Sequence, residues 1–135
     1  MSDMAKVIKW LEETETALKQ AVDMLVNVSG ERRKVAVLGD MFELGQKAAE
    51  EHFGCGMHAA KKGIDLLLLA GKNSLDMKKG ALEGGMKEEK VIYFEEKKDL
   101  LNNILSYIKP ADVILFKASR GMAFEELVEK VKKGE

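Results

Sequence analysis

The chain has 135 residues, of which 46% are apolar and 33% charged, enough to bury a core and of a size for one domain. With 22 basic against 23 acidic residues the formal charge is −1, so no global field draws in nucleic acid or an anionic membrane, and a charged ligand has to be held by local groups. Cys55 is the only cysteine, which excludes an internal disulfide, and with no signal-peptide core and no apolar stretch long enough to span a bilayer, neither export nor a membrane span is expected. A soluble, cytoplasmic domain is expected.

The first 28 residues are read as helix. Val7, Ile8, Leu11, Leu18, Val22 and Leu25 recur mostly at three- and four-residue steps through Met4 to Val28, without glycine or proline. No strand is evident in this stretch, and one long helix or two abutting ones fit it. Its favoured role is a cover for one face of a sheet, ahead of a seam between two copies of the chain. "NVSGERRK", Asn27 to Lys34, then resembles a linker, dividing a helical segment, 1–30, from the rest of the domain, 31–135.

Four short, nearly continuous apolar runs follow: "KVAVLG" (Lys34 to Gly39), "DLLLLAG" (Asp65 to Gly71), "KVIYF" (Lys90 to Phe94) and "DVILFK" (Asp112 to Lys117). Runs of this kind belong to parallel strands covered on both faces. Between and after them lie helical segments, Gln46 to Lys62, Ser74 to Gly84, Lys97 to Ile108 and Phe124 to Lys133. The alternation predicts an α/β, Rossmann-like three-layer domain, with a mainly parallel sheet and helices on both faces. Ser74 is placed to cap its helix, Gly84 and Gly85 to end it, and Pro110 with Asp112 to turn the chain into the last strand. Leu100, Leu101, Ile104, Leu105 and Ile108 form a stripe that should face the sheet. Gly54 and Gly56 weaken the first of these helices, since an interior glycine costs about 1 kcal/mol against alanine.

In such sheets ligands sit beyond the carboxyl ends of the strands. "KASRGM", after the last strand, offers Lys117, Ser119, Arg120 and a glycine for close backbone approach, a set suited to a carboxylate or a phosphate. The same residues also fit a plain helix cap at Ser119 with Lys117 and Arg120 paired to Asp40 or Glu43. "GDMFELG", after the first run, brings Asp40 and Glu43 into a glycine-bounded turn, where Asp40 either orients a ligand or simply forms the turn. No dinucleotide fingerprint follows the first strand, and "AGKNS" lacks the spacing of a phosphate-binding loop. His52, Cys55 and His58 are spaced at i, i+3 and i+6, but structural zinc takes four ligands and no second cluster exists, so no metal site is expected and His52 is read as a surface or packing residue. The paired lysines are solvated helix ends rather than a nucleic-acid patch.

"VAVLGDMFELGQKAAEEHFGCGMHAAKKGIDLLLLAGKNS", "GALEGGM" and "VIYFEEKKDLLNNILSYIKPADVILFKASRGMAFEELVEKV" together resemble the C-terminal domain of the muramyl (Mur) ligases, in the branch that adds a D-alanyl-D-alanine dipeptide to a peptidoglycan precursor. The most specific pieces are Gly39-Asp40-Met41 with Glu43-Leu44-Gly45, His52 in the following helix, and Lys117 to Met122 in place of a Lys-Gly-Ser-Arg-Gly pattern, with Ala118 where that pattern has glycine. The resemblance implies an ATP-dependent ligase whose central domain carries the phosphate loop, the magnesium ligands and the chemistry. The C-terminal domain closes over ATP and helps hold the dipeptide. Lys117, Ser119 and Arg120 would then face D-alanyl-D-alanine, with Asp40, Met41 and Glu43 on the neighbouring loop. No residue here is assigned a catalytic part, and neither ATP nor magnesium is expected to bind this chain tightly. Upstream, the family has a strand, a Tyr-Asn-Ala-Asn-Pro loop and a helix; Leu18 to Leu25 fits the helix, while Lys9 to Glu15 has neither the asparagines nor the proline. Without the central ATPase domain the chain is expected not to ligate. The alternative is a free-standing or engineered binding or self-association module that keeps the fold.

The sheet is expected to place the "GDMFELG" strand beside the "KASRGM" strand, so that both loops share one rim.

Overall fold

A computed structural model describes residues 6–9, 15–41 and 45–134. The four apolar runs form strands β2 (Lys34–Gly39), β3 (Leu66–Ala70), β4 (Val91–Phe94) and β5 (Val113–Lys117), and a fifth, β1 (Lys6–Lys9), precedes them in the chain. Their order is β1-β5-β2-β3-β4, and every neighbouring pair runs parallel. The strand that leads to Asp40 therefore lies beside the strand that leads to Ser119, with Leu38 in register with Lys117.

Residues 6–9 correct the expectation of continuous helix from Met4. Helix α1 spans Glu15–Ser29, and ahead of it β1 pairs with the flank of β5 that would otherwise be the open edge of the sheet. A four-residue strand is too short to display its own two-residue period. The β-branched pair Val7-Ile8 suits a strand as well as a helix, and the backbone ladder offered by β5 decides between them. Leu11, part of the same apolar spacing, lies outside the described residues.

Helices α2 (Ala48–Lys61), α3 (Ser74–Glu83), α4 (Lys97–Asn103) and α5 (Glu125–Lys133) follow the strands, although α4 stops short of the expected Ile108 and gives way to a 3-10 turn at Ile104–Ser106. Alternate strand residues point to opposite faces. Ala36, Leu38, Leu67, Leu69, Val113 and Leu115 meet Leu18, Val22 and Leu25 of α1, Cys55 and Ala59 of α2 and Met77 and Ala81 of α3. Val35, Val37, Leu66, Leu68, Ile114 and Phe116 meet Leu100 of α4, Ile104 just beyond it, and Leu127 and Val128 of α5. Three helices thus cover one face and two the other, and the Leu100 to Ile108 stripe lies on the sheet.

Gly56 and Gly80 explain a glycine-bearing α2. The two helices cross so closely that a Cβ on Gly56 would stand 1.9 Å from Met77 O, and one on Gly80 would stand 1.9 Å from Phe53 O. At the opposite end of the sheet from the candidate site, the buried Asp112 accepts from Arg33 Nε at 3.0 Å, Arg33 Nη2 at 2.9 Å and the Lys109 N–H at 2.8 Å, which fixes the turn into β5.

Candidate functional site

All five strands end at one rim, and its centre is the junction of the β2 and β5 loops. Asp40 follows directly on β2 and Ser119 lies two residues past β5; the Ser119 N–H donates to Asp40 O at 3.0 Å. The loops expected to share a rim do share it. Lys117, at the tip of β5, is only 2% exposed, and Ser119 is also buried. Arg120 opens the 3-10 turn Arg120–Met122, and the Met122 N–H donates back to Ser119 O at 2.9 Å. The Arg120 side chain and the whole of Glu43 lie outside the described residues.

Ser119 does not cap α5, which begins at Glu125 with Phe124 at its N-cap; five residues, the first three in a 3-10 turn, intervene. Ser74 is not a cap either. It is the first residue of α3, and its hydroxyl is buried against Asp40 Oδ1 at 2.8 Å and Ala70 O at 3.1 Å. A hydroxyl donating into a buried carboxylate makes a charge-assisted hydrogen bond, one of the stronger kinds. Gly71 supplies the space: at φ +121° it lays bare backbone against the Asp40 carboxylate, where a Cβ would come within 2.4 Å of Oδ1. Asp40 is accordingly 5% exposed and held from β3, α3 and β5 at once.

Met41 turns its side chain into the core beneath the α1, α2 and α3 helices, while its N–H donates to His52 Nε2 at 3.0 Å. His52 is fully buried and braces this turn from α2, so it is a packing residue with a specific polar task. On the β4 side, Tyr93 is half-buried, and its phenol is pushed above the ordinary value of 10.0, first by burial and then by the carboxylates of Glu95, Asp40 and Asp76. The rim thus carries a basic residue at the β5 end and a group of carboxylates toward β4. Among the described residues, no three His, Cys, Asp or Glu side chains gather to hold a metal. His58 instead meets Asp23 of α1 at 2.8 Å.

Sequence reasoning located Asp40, Lys117 and Ser119 but missed Ser74, Tyr93 and Gly71 as parts of the rim. The available signal was "AGKNS" itself: glycine immediately after a strand and serine at the next helix start mark a backbone that passes close to something buried.

Residues 13–120 match the family model described as Mur ligase, glutamate ligase domain. The chain belongs to the Mur ligase family. Curated relatives of this Mur ligase domain include the UDP-N-acetylmuramoyl-tripeptide–D-alanyl-D-alanine ligase of Bacillus subtilis (strain 168), 38% identical over 113 residues, 84% of this chain and 24% of that protein. The Escherichia coli (strain K12) protein of the same name is 34% identical over 114 residues, 83% of this chain and 23% of its own length. Among solved structures, a MurF crystal structure from Acinetobacter baumannii superposes with a TM-score of 0.78 at 24% identity, covering 96% of this chain and 29% of the other. The MurF ligase of Thermotoga maritima in complex with ADP gives a TM-score of 0.72 at 22% identity, covering 95% and 28%. Those structural likenesses establish the fold. The Mur ligase domain spans about a quarter of the length of the curated relatives it matches, 24% in the B. subtilis case. No helix among its described residues is long and apolar enough to cross a membrane.

Proposed function

We propose that this domain is the C-terminal part of an ATP-dependent ligase that joins D-alanyl-D-alanine to a peptidoglycan precursor. In this reading it positions the dipeptide and closes over the nucleotide, and it does not ligate alone. The observation that carries the reading is the hydrogen bond from Ser119 N–H to Asp40 O, which locks the β5 and β2 loops into one rim. A zwitterionic dipeptide needs a cation and donors for its carboxylate and an acidic neighbourhood for its ammonium. Lys117, Ser119 and Arg120 stand at the end suited to the first, and Asp40, Asp76 and Glu95, which act together on Tyr93, at the end suited to the second. By the family resemblance Met41 and Glu43 belong to the same site, and Met41 packs beneath the rim.

ATP and magnesium belong to the rest of the ligase. The loop after β3, Gly71-Lys72-Asn73-Ser74, turns its serine hydroxyl to Asp40. A ligase reduced to this part keeps positioning groups but lacks the clamp that stabilises transferring charge, which is the larger share of phosphoryl-transfer catalysis. Self-association through α1 is the rival reading. It has the exposed Val28 to offer, while Leu18, Ala21, Val22 and Leu25 of that helix are already buried.

Titrating D-alanyl-D-alanine and ATP separately into the 15N-labelled chain tests the proposal. Amide shifts concentrated at residues 117–123, with smaller ones at 40–41, are expected with the dipeptide. Silence at millimolar dipeptide would refute the positioning part.

A further inference from the structure

A single peptide group joins the two loops of the rim. Its carbonyl, Asp40 O, accepts from Ser119 N–H at 3.0 Å, and its amide, Met41 N–H, donates to His52 Nε2 at 3.0 Å. The second ring nitrogen, Nδ1, stands 2.6 Å from Ala48 O, one turn back along α2. A carbonyl oxygen can only accept and a backbone N–H can only donate, so the ring carries its proton on Nδ1 and presents Nε2 bare. The ring is fully buried, away from competing solvent.

We propose that His52 is a positioning residue for the β5 loop, acting through the Asp40–Met41 peptide plane. The peptide unit is planar, so its N–H and C=O turn together. With the Nε2 acceptor removed, Met41 N–H is left buried and unpaired, and the plane rotates to find another partner. That rotation swings Asp40 O away from Ser119 and frees the first amide of the "SRGM" turn. The linkage follows from these contacts; its bearing on a bound dipeptide rests on the proposed reading of the rim.

A histidine retained for volume alone would be indifferent to which atom replaced Nε2. His52→Gln loses the ring but can set an amide oxygen near the Nε2 position, while His52→Asn keeps a donor toward Ala48 O and is too short to reach Met41. Amide hydrogen exchange on the 135-residue chain and both variants reads the difference at Met41 and Ser119, with Leu68 in the middle of β3 as the global reference. Exchange at Ser119 accelerated about tenfold beyond any acceleration at Leu68 in His52→Asn, and no more than at Leu68 in His52→Gln, is expected. Unaltered exchange at Ser119 in His52→Asn, or equal acceleration in both variants, would overturn the proposal. The ring itself gives a second measurement that needs no variant. A long-range 15N spectrum of the wild-type chain should show Nδ1 protonated and Nε2 bare, and an Nε2–H tautomer would overturn the proposal equally. Dipeptide titration of the same samples keeps the two claims apart. Loosening of Ser119 in His52→Asn with no dipeptide shifts in the wild type supports the linkage and removes D-alanyl-D-alanine from the rim.

Discussion

Gly56→Ala sets intrinsic helix propensity against packing and should lose decisively. In an isolated helix the change favours the folded state by about 1 kcal/mol. Here the added Cβ would fall 1.9 Å from Met77 O, 2.7 Å from Met77 C and 3.0 Å from Ala81 N, all backbone atoms that no rotamer change can move. Restoring an ordinary contact of about 3.5 Å requires α2 and α3 to separate by roughly 1.5 Å. That separation loosens Ala59, Met77 and Ala81, which belong to one core cluster. Overpacking of this kind costs about 3 kcal/mol at the upper end of the usual range, so the net loss after the propensity gain is about 2 kcal/mol or more. Gly80→Ala, whose Cβ would meet Phe53 O at 1.9 Å from the other side of the same crossing, should cost a similar amount. The double variant should cost clearly less than the sum, because the first methyl already opens the gap the second needs. Gly54→Ala is the control: its Cβ would find only Lys19 Nζ at 3.8 Å, so it should stabilise by up to about 1 kcal/mol. Urea unfolding followed by circular dichroism measures all four. A Gly56→Ala chain as stable as wild type, or strict additivity with Gly80→Ala, would refute the close crossing.

Asp112→Asn should destabilise by about 2 kcal/mol in the same assay, because it removes a buried charge partner of Arg33, discounted for an arginine that is 24% exposed. Gly71→Ala should be at least as damaging as Gly56→Ala and should shift the Ser119 amide in a 15N spectrum, since φ +121° is closed to alanine and its Cβ would displace the Asp40 carboxylate; an unchanged Ser119 amide would count against the Asp40 tie. Tyr93 should titrate above 10.0 by phenolate absorbance, burial being the main cause, and Glu95→Gln should lower its midpoint without restoring the ordinary value. The folded state favours the neutral phenol, so this group's contribution is complete below pH 10.0 and is lost as pH climbs through the raised value; a midpoint at or below 10.0 would refute the crowded acidic setting.

The central strands were legible because burial on both faces writes a continuous apolar run, and β2, β3 and β5 carry one each. β1 was not, because four residues cannot show a period of two and the helix that follows extends the same apolar spacing. Gly56 looked like a weakness of α2 until the backbone of α3 was seen against it, and a pairwise close approach leaves no trace in either helix alone. Ser74 was misplaced for a related reason. A serine at a helix start is the usual cap, and only the three-dimensional proximity of a buried carboxylate diverts its hydroxyl.

The rim combines these non-local features, which is why its members were easier to find than their roles. Asp40 receives Ser74 from α3 and lies against Gly71 of the β3 loop, while the peptide that follows it joins Ser119 to His52. A segment engaged on that many sides, by its carboxylate and by the peptide that follows it, anchors loops before it can greet a ligand, and moving it would disturb four elements at once. Downstream of Ser119 the loop carries Ala123 at φ +52°, outside the range alanine prefers. Lys97 steadies this loop from the start of α4, donating to Ala123 O at 3.3 Å and pairing with Glu126. Asp40 and Met41 are thus fixed points of the rim. Ligand-dependent shifts should accordingly be larger at residues 120–123 than at Asp40, and the reverse pattern would argue that the guest binds on the acidic side.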